Sequence, residues 1–347
     1  MNLYLTRSGR LRRHDNTLRF EQISLPDEED IPDFEHPELE TAQANSISVP
    51  VESIKAIYIF GEVSINSKLA SFLSQKEIPV HFFNYYGHHA SSLLPHAAQL
   101  SGELVIRQVE HFQDEEKRLK ICRAILSATF HNISSILGYY QRKKGGLENQ
   151  LAQLKFAQES LFQQTSPEQL MGVEGSIRNM YYQSWETWLG SAASNFKREY
   201  RPPTNPLNAL VSFPNSLLYT ACVSELYRTA LYPGLSYLHA PQSRRYSLAL
   251  DLVEPFKPII VDRLLFRLWN TKTIRDNDFR QNSNGFLLTD DARRKILQEW
   301  DQEMKTTVHV DSLKRSVSYR QLLRLDCYKL VNLLLEDRPY SPFTIKY

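Results

Sequence analysis

Apolar and polar positions along this 347-residue chain follow two different rhythms. In the first hundred residues the apolar runs are short and rich in β-branched and aromatic side chains. SIKAIYIFG (53–61) and IPVHFFNYYG (78–87) each end at a glycine and read as strands, whereas NSKLASFLSQKE (66–77) has apolar residues at helical spacing and reads as a short helix. LYLTRSGRLRRHDNTLRFE (3–21) predicts two hairpin turns, at Ser8-Gly9 and at Asp15-Asn16. The expectation is a small β domain with one embedded helix.

Beyond about Leu100 the period changes. QVEHFQDEEKRLKICRAILSATFHNISSILGYYQRK (108–143) repeats its apolar residues every three or four positions, and LENQLAQLKFAQESLFQQ (147–164) continues as a helical block. KKGG, TSPEQ and RPPTNP punctuate further helices, and no convincing strand is visible as far as Leu335. No repeat of 20 to 50 residues is present, which argues against a solenoid. The predicted class is therefore α+β: a β domain over 1–98 followed by a larger, all-α domain over 99–347. The length suits two domains that each bury a core.

Composition narrows the function classes. Apolar residues make up 42% and charged residues 23%, the profile of a globular chain. Glycine occurs only 12 times, and neither GxGxxG nor GxxxxGK[ST] is present, so a nucleotide cofactor is not expected. Cys122, Cys222 and Cys327 are far apart and form no CxxC pair, which suits small core residues in a reducing compartment. With no apolar run approaching the roughly 18 residues of a membrane span, a cytoplasmic protein without membrane association is expected.

The net charge is only +2, but its distribution is uneven. Glu21 to Ile54 holds ten acidic residues and no Lys or Arg, and its stretch EQISLPDEEDIPDFEHPELE reads as a solvated loop or insert. Lys305 to Tyr347 holds eight basic residues against four acidic. Without the acidic insert the remainder is basic, the electrostatic prerequisite for holding phosphates.

Few polar constellations suggest chemistry. His88 and His89 are neighbours at a strand end and point to opposite faces, so a surface turn is the simpler reading. His36, His111, His131 and His309 have no second ligand at i+4, and HExxH is absent. Glu174 lies between Gly172 and Gly175 ahead of a helical pattern, where a carboxylate either complements a helix N-terminus or borders a place of close backbone approach. His239 follows Leu235, Tyr237 and Leu238 and would ordinarily be a satisfied, half-buried histidine. Asp251 and Glu254 are three apart on a helix expected to begin near Ser247, so they share a face and require positive charge, from Arg244, Arg245 and Lys257 or from a metal ion. Pro255 and Pro258 predict a kink or boundary near Glu254.

Taken in order, GVEG, RPPTNPLNALVSFPNSLLYT, YPGLSYLH, SLALDLVEPFKPIIVDR, NGFLLTDDARRKI and VSYRQLLRLDCYKL resemble the CRISPR-associated spacer-acquisition integrase family, "Cas one". SGRLRRHDNTLRFE and IYIFGEVSINSKLASFLSQKEIPVHFFNYYG extend the resemblance over nearly the whole chain. The resemblance implies an N-terminal β domain, a helical catalytic domain, and a divalent metal held by Glu174 of the GxEG motif, His239 of YPGLSYLH and Glu254 of the DLxE motif. Asp251 would be a supporting group. Pro214 and Asn215 depart from the glycine and tyrosine often found after the SF of this family.

Two carboxylates and an imidazole with open positions would suit Mg²⁺ or Mn²⁺ better than zinc. The implied activity is a metal-dependent DNA integrase and endonuclease that inserts foreign fragments as spacers into a CRISPR array, in antiviral defence. The attacking group would be a 3′-hydroxyl on a repeat phosphodiester; water in its place would give hydrolysis. Arg178, Arg244, Arg245 and Lys257 are candidates for gripping DNA phosphates. The implied partners are double-stranded DNA, a second copy of the chain and a small protein, "Cas two". The alternative is a non-catalytic DNA-binding scaffold of the same fold.

Overall fold

The computed structural model describes residues 1–22, 46–95, 101–199, 203–241, 246–282 and 285–346. Most of the acidic insert, together with Arg244 and Arg245, lies outside the described residues. The chain divides into two compact units, Met1–Ala98 and Gln99–Tyr347.

The first unit holds eight described strands and one helix: β1 (Asn2–Leu5), β2 (Gly9–His14), β3 (Thr17–Gln22), β4 (Ser46–Pro50), β5 (Ala56–Ile59), β6 (Val63–Ser64), α1 (Ser67–Gln75), β7 (Val80–Phe83) and β8 (His89–Leu93). They form two four-stranded sheets, ordered β1-β5-β7-β8 and β4-β3-β2-β6. In the first, β1, β5 and β7 run parallel, with β8 antiparallel at the edge. The connection from β5 to β7 runs through α1, whose first turn is capped by the Asn66 side chain accepting from the Leu69 N–H.

Asp15-Asn16 turns the β2–β3 hairpin, with Asp15 at φ 50°, and Leu11 pairs with Phe20 across it. Ser8-Gly9 is different from the expected hairpin turn: β1 and β2 belong to separate sheets, so the chain crosses between layers there. Close packing explains the glycine. A Cβ on Gly9 would lie 2.3 Å from the Glu21 carbonyl oxygen and 2.7 Å from the Phe20 ring. The core of the unit gathers Leu11, Leu18 and Phe20 from one sheet, Ile57, Ile59 and Val80 from the other, and Leu69, Phe72 and Leu73 from α1.

The second unit is mainly helical: α2 (Gly102–Gln113), α3 (Glu115–Lys144), α4 (Glu148–Ser160), α5 (Pro167–Ser184), α6 (Glu186–Leu189), α7 (Pro206–Leu226), α8 (Ser247–Val253), α9 (Arg263–Asn270), α10 (Asp290–Lys305) and α11 (Tyr319–Glu336). The all-helical expectation needs correction, because two short hairpins interrupt it. β9 (Phe279–Asn282) pairs with β10 (Gly285–Leu288), and β11 (Thr307–Val310) with β12 (Arg315–Ser318). Strands of four residues, mostly polar in β9 and β12, are too short to establish a period of two.

The helix α7 is apolar on nearly every side and is buried along most of its length, as expected of the helix around which others pack. Pro214 is accommodated within it at the loss of one backbone hydrogen bond. Between α8 and α9 the chain stays helical but changes pitch, through a 3₁₀ turn at Glu254–Phe256 and a π-helical turn at Lys257–Asp262. Pro255 and Pro258 mark this irregularity, since neither can donate the hydrogen bond that regular α-helix requires. No described helix is long and apolar enough to cross a membrane.

Replacing Gly9 with alanine should lower stability by about 1–3 kcal/mol, through overpacking against β3. Chemical denaturation of the full chain, comparing Gly9→Ala with the unaltered protein, checks this.

Candidate active site

Three elements of the helical unit meet around Glu254: the middle of α5, the loop that ends at His239, and the irregular turn after α8. The loop is positioned first. Asp251, fully buried on α8, accepts at Oδ2 from the backbone N–H groups of Tyr237 at 2.6 Å and Leu238 at 3.0 Å. Its Oδ1 accepts from the His239 N–H at 3.0 Å and lies 2.8 Å from the ring Nδ1 of His239. Arg118 Nε donates to the Tyr237 carbonyl at 2.8 Å and the Ser236 hydroxyl to that of His239 at 2.6 Å, closing the loop. With Asp251 accepting, Nδ1 of His239 is the donor of this contact and Nε2 faces the other way. Nε2 stands 3.8 Å from Oε1 of Glu254.

Glu254 is the most heavily charged point of the site. The Arg178 Nη2 donates to its Oε2 at 2.6 Å, and Lys257 Nζ donates to its Oε1. The Nε of the same arginine donates to Glu174 Oε1 at 2.9 Å, so one guanidinium joins the two glutamates. Asn132 of α3 steadies the backbone beside Glu254: its amide donates to the Pro255 carbonyl at 2.7 Å and to that of Phe343 at 3.0 Å. Its oxygen accepts from the Ile345 N–H at 2.9 Å.

Glu174 does not cap a helix. It sits inside α5, whose cap is the Ser166 side chain, and reaches Arg178 one turn later. Gly172 and Gly175 read as boundaries in sequence but are interior helical residues, and a Cβ on either would meet nothing described within 4 Å. Packing within the chain therefore does not require them to be glycine.

The ionisation of the site follows from these contacts. Burial raises the Glu254 carboxyl, but the charges of Lys257, Arg178 and His239 outweigh it and hold the group at about 2. Burial pulls the His239 imidazole down, yet its hydrogen bond to Asp251 and the two neighbouring carboxylates lift it above the ordinary value. Burial also opposes the Arg178 charge, and Glu174 and Glu254 more than restore it. Burial pushes the Asp262 carboxyl, in the π-helical turn, up to about 7.

Glu174, His239 and Glu254 are thus brought into one region, with Asp251 behind the imidazole. Lys257 supplies positive charge to Glu254, as does Arg178, which is buried between two carboxylates instead of facing solvent where a phosphate backbone would run. The sequence reading did not single out Asn132, Arg118 or Asp262. Asn132 carried a signal, a polar residue among the apolar positions of FHNISSI.

Among the described residues no three His, Cys, Asp or Glu side chains stand close enough to enclose one metal ion. The donor set nevertheless fits a hard divalent cation. Two carboxylates and a histidine with its far nitrogen fixed by an acid form a recognised ligand chemistry. Arg178 and Lys257 now supply the positive charge those glutamates require.

The sequence model of the family described as CRISPR associated protein Cas1 matches residues 3–302. The chain belongs to the Cas1 family. A Moorella thermoacetica protein named CRISPR-associated endonuclease Cas1 2 is 42% identical over 342 residues, covering 99% of this chain and 98% of that one. The solved structure of a CAS1 protein from Thermotoga maritima is 34% identical, with a TM-score of 0.83 and 99% of each chain covered. A structure titled casposase bound to integration product shares the fold at a TM-score of 0.85 and 17% identity, over 100% of this chain and 95% of that one. Family membership and the α+β fold, β unit first, agree with the sequence resemblance.

Asp251→Ala leaves the donors of the His239 loop without their acceptor and should cost about 3–5 kcal/mol in chemical denaturation. Asp251→Asn, which still offers one acceptor oxygen, should cost less. Glu254 has a second signature. Its folded pKa is depressed from 4.5 to about 2, so its contribution to stability is present above pH 4.5 and is lost as pH falls towards 2. In acid titration of the metal-free protein, Glu254→Gln should flatten the loss of stability across that window.

Proposed function

We propose that this chain is a metal-dependent DNA integrase and endonuclease of CRISPR adaptation. It joins the 3′-hydroxyl of an incoming double-stranded fragment to a phosphodiester of the repeat. The observation that carries the reading is the meeting of Glu174, His239 and Glu254 from three separate elements, with the imidazole oriented by Asp251. Relatives that cover this chain almost end to end carry the name CRISPR-associated endonuclease, which supports the same chemistry. In this reading Glu174, His239 and Glu254 hold Mg²⁺ or Mn²⁺. When bound, such an ion polarises a phosphodiester, lowers the pKa of an attacking hydroxyl and stabilises the leaving oxygen.

The chain's own groups orient and compensate. Asp251 keeps the Nδ1 proton of His239 in place and so presents Nε2 towards Glu254. Lys257, partly exposed beside Glu254, can turn its ammonium to a phosphate oxygen once that carboxylate is otherwise engaged. No cysteine is placed to act as nucleophile: all three are buried, and burial together with nearby Asp251 pushes the Cys122 thiol up to about 12. In this reading the nucleophile is a hydroxyl of the substrate or water, and its positioning decides between joining and hydrolysis. The reading includes a homodimer acting with the small partner protein "Cas two", and Arg244 and Arg245 as phosphate contacts.

The test is the joining of a short duplex to a repeat-containing plasmid in Mg²⁺ or Mn²⁺. Glu174→Ala, His239→Ala and Glu254→Ala should each lower joining by at least about 10³-fold while the protein remains folded. Unchanged, metal-dependent joining by any of the three removes that residue from the site. Unchanged DNA binding and joining by all three favours the scaffold alternative.

A further inference from the structure

Beneath the two glutamates lies an arrangement that their own pairing does not explain. The Arg178 guanidinium uses Nε for Glu174 and Nη2 for Glu254, but Nη1 is buried and has no hydrogen-bond partner. Asp262, within electrostatic reach of Arg178, is 2% exposed, and its Oδ2 is also buried without a partner. The Tyr181 hydroxyl, one turn along α5 from Arg178, adjoins Asp262 and is a third buried polar atom that makes no hydrogen bond of ordinary geometry. Arg178 and Asp262 attract one another electrostatically without forming an ion pair.

Buried donors and acceptors are costly to leave open, and here a donor of Arg178 and an acceptor of Asp262 are both left so. The difficulty lifts if the site has two arrangements. A guanidinium cannot discard its proton, so an incoming dication taken by Glu174 and Glu254 would share their pocket with a full positive charge unless another carboxylate received it. Asp262 is the buried carboxylate at hand. It is supplied by the π-helical turn Lys257–Asp262, an irregularity of the kind that recurs at functional sites because it takes a side chain out of α-helical register. Burial pushes its carboxyl up to about 7 and outweighs the nearby charges of Arg178 and Lys257.

We infer that Asp262 is a positioning residue: its carboxylate is the second seat of the Arg178 guanidinium, taken up when Glu174 and Glu254 turn to a divalent cation. The inference rests on the metal-site reading given above. Arg178 is then the internal counter-ion of the empty site, and Asp262 allows it to step aside while staying buried and paired.

Titration of the purified full-length chain with Mn²⁺ alone, followed by calorimetry and by the spin resonance signal of the free ion, tests this without DNA or activity. Asp262→Asn is expected to weaken Mn²⁺ binding by about 10–100-fold, because Arg178 then competes for the glutamates. In an Arg178→Met background, the same Asp262→Asn change should alter Mn²⁺ affinity by less than about threefold, since there is no guanidinium left to reseat. Asp262→Ser replaces the amide variant if that one does not fold. Wild-type affinity in Asp262→Asn overturns the inference, as does an equal loss with and without Arg178, which a merely structural role would give. If the wild-type chain takes up no Mn²⁺, or Glu174→Gln takes it up as well as wild type, the metal-site reading falls and this inference with it. That result is distinct from failure of the Asp262 variants alone.

Discussion

One fully buried carboxylate, Asp251, accepts from three consecutive backbone N–H groups and from an imidazole, and the rest of the site is built outward from it. A loop closing on a helix would ordinarily leave its backbone donors to water. Here they converge on a single buried side chain, where hydrogen bonds are strong and the absence of any one partner is expensive. The histidine is therefore placed by its backbone and its ring at once. Its orientation is a property of the fold.

From that anchor the charges alternate. Asp251 faces His239, His239 faces Glu254, and Glu254 faces Lys257 and Arg178, with Glu174 beyond the arginine. Each member is stabilised mainly by neighbours of opposite sign, so displacing one is felt along the series. The two glutamates come from α5 and from the turn after α8, elements far apart in sequence, and one guanidinium donates to both. The cluster makes its elements depend on one another: α5 has an electrostatic reason to remain beside the irregular turn.

Local features with a strong period were legible in the sequence. The Asp15-Asn16 hairpin turn was readable because short polar residues divide two alternating runs, and α1 because its apolar residues keep helical spacing. Ser8-Gly9 was not, since a tight reversal and a passage between sheets ask for the same small residues, and only tertiary packing against Glu21 and Phe20 distinguishes them. Glu174 was misplaced to a helix end because two nearby glycines imitate a boundary. In the site, the need of Glu254 for positive charge followed from its spacing to Asp251, but Asp251 itself is met by three backbone N–H groups and an imidazole instead of by a Lys or Arg. That Arg178 would supply much of it was present in the i,i+4 spacing from Glu174 but not weighed. The placement of Asp262 could not be read at all, because a π-helical turn changes which residues share a face.

Asn132 binds two otherwise unrelated stretches through one amide: the carbonyl of Pro255, next to Glu254, and the backbone of Phe343 and Ile345. Both attachments draw on the same side chain, so the seating of residues 343–345 and the exact placement of Glu254 form a single thermodynamic linkage. Their coupling acts equally in both directions: the seating of one steadies the other by as much as it is steadied in return. Residues 343–345, far from Glu254 in sequence, are thereby a support for it.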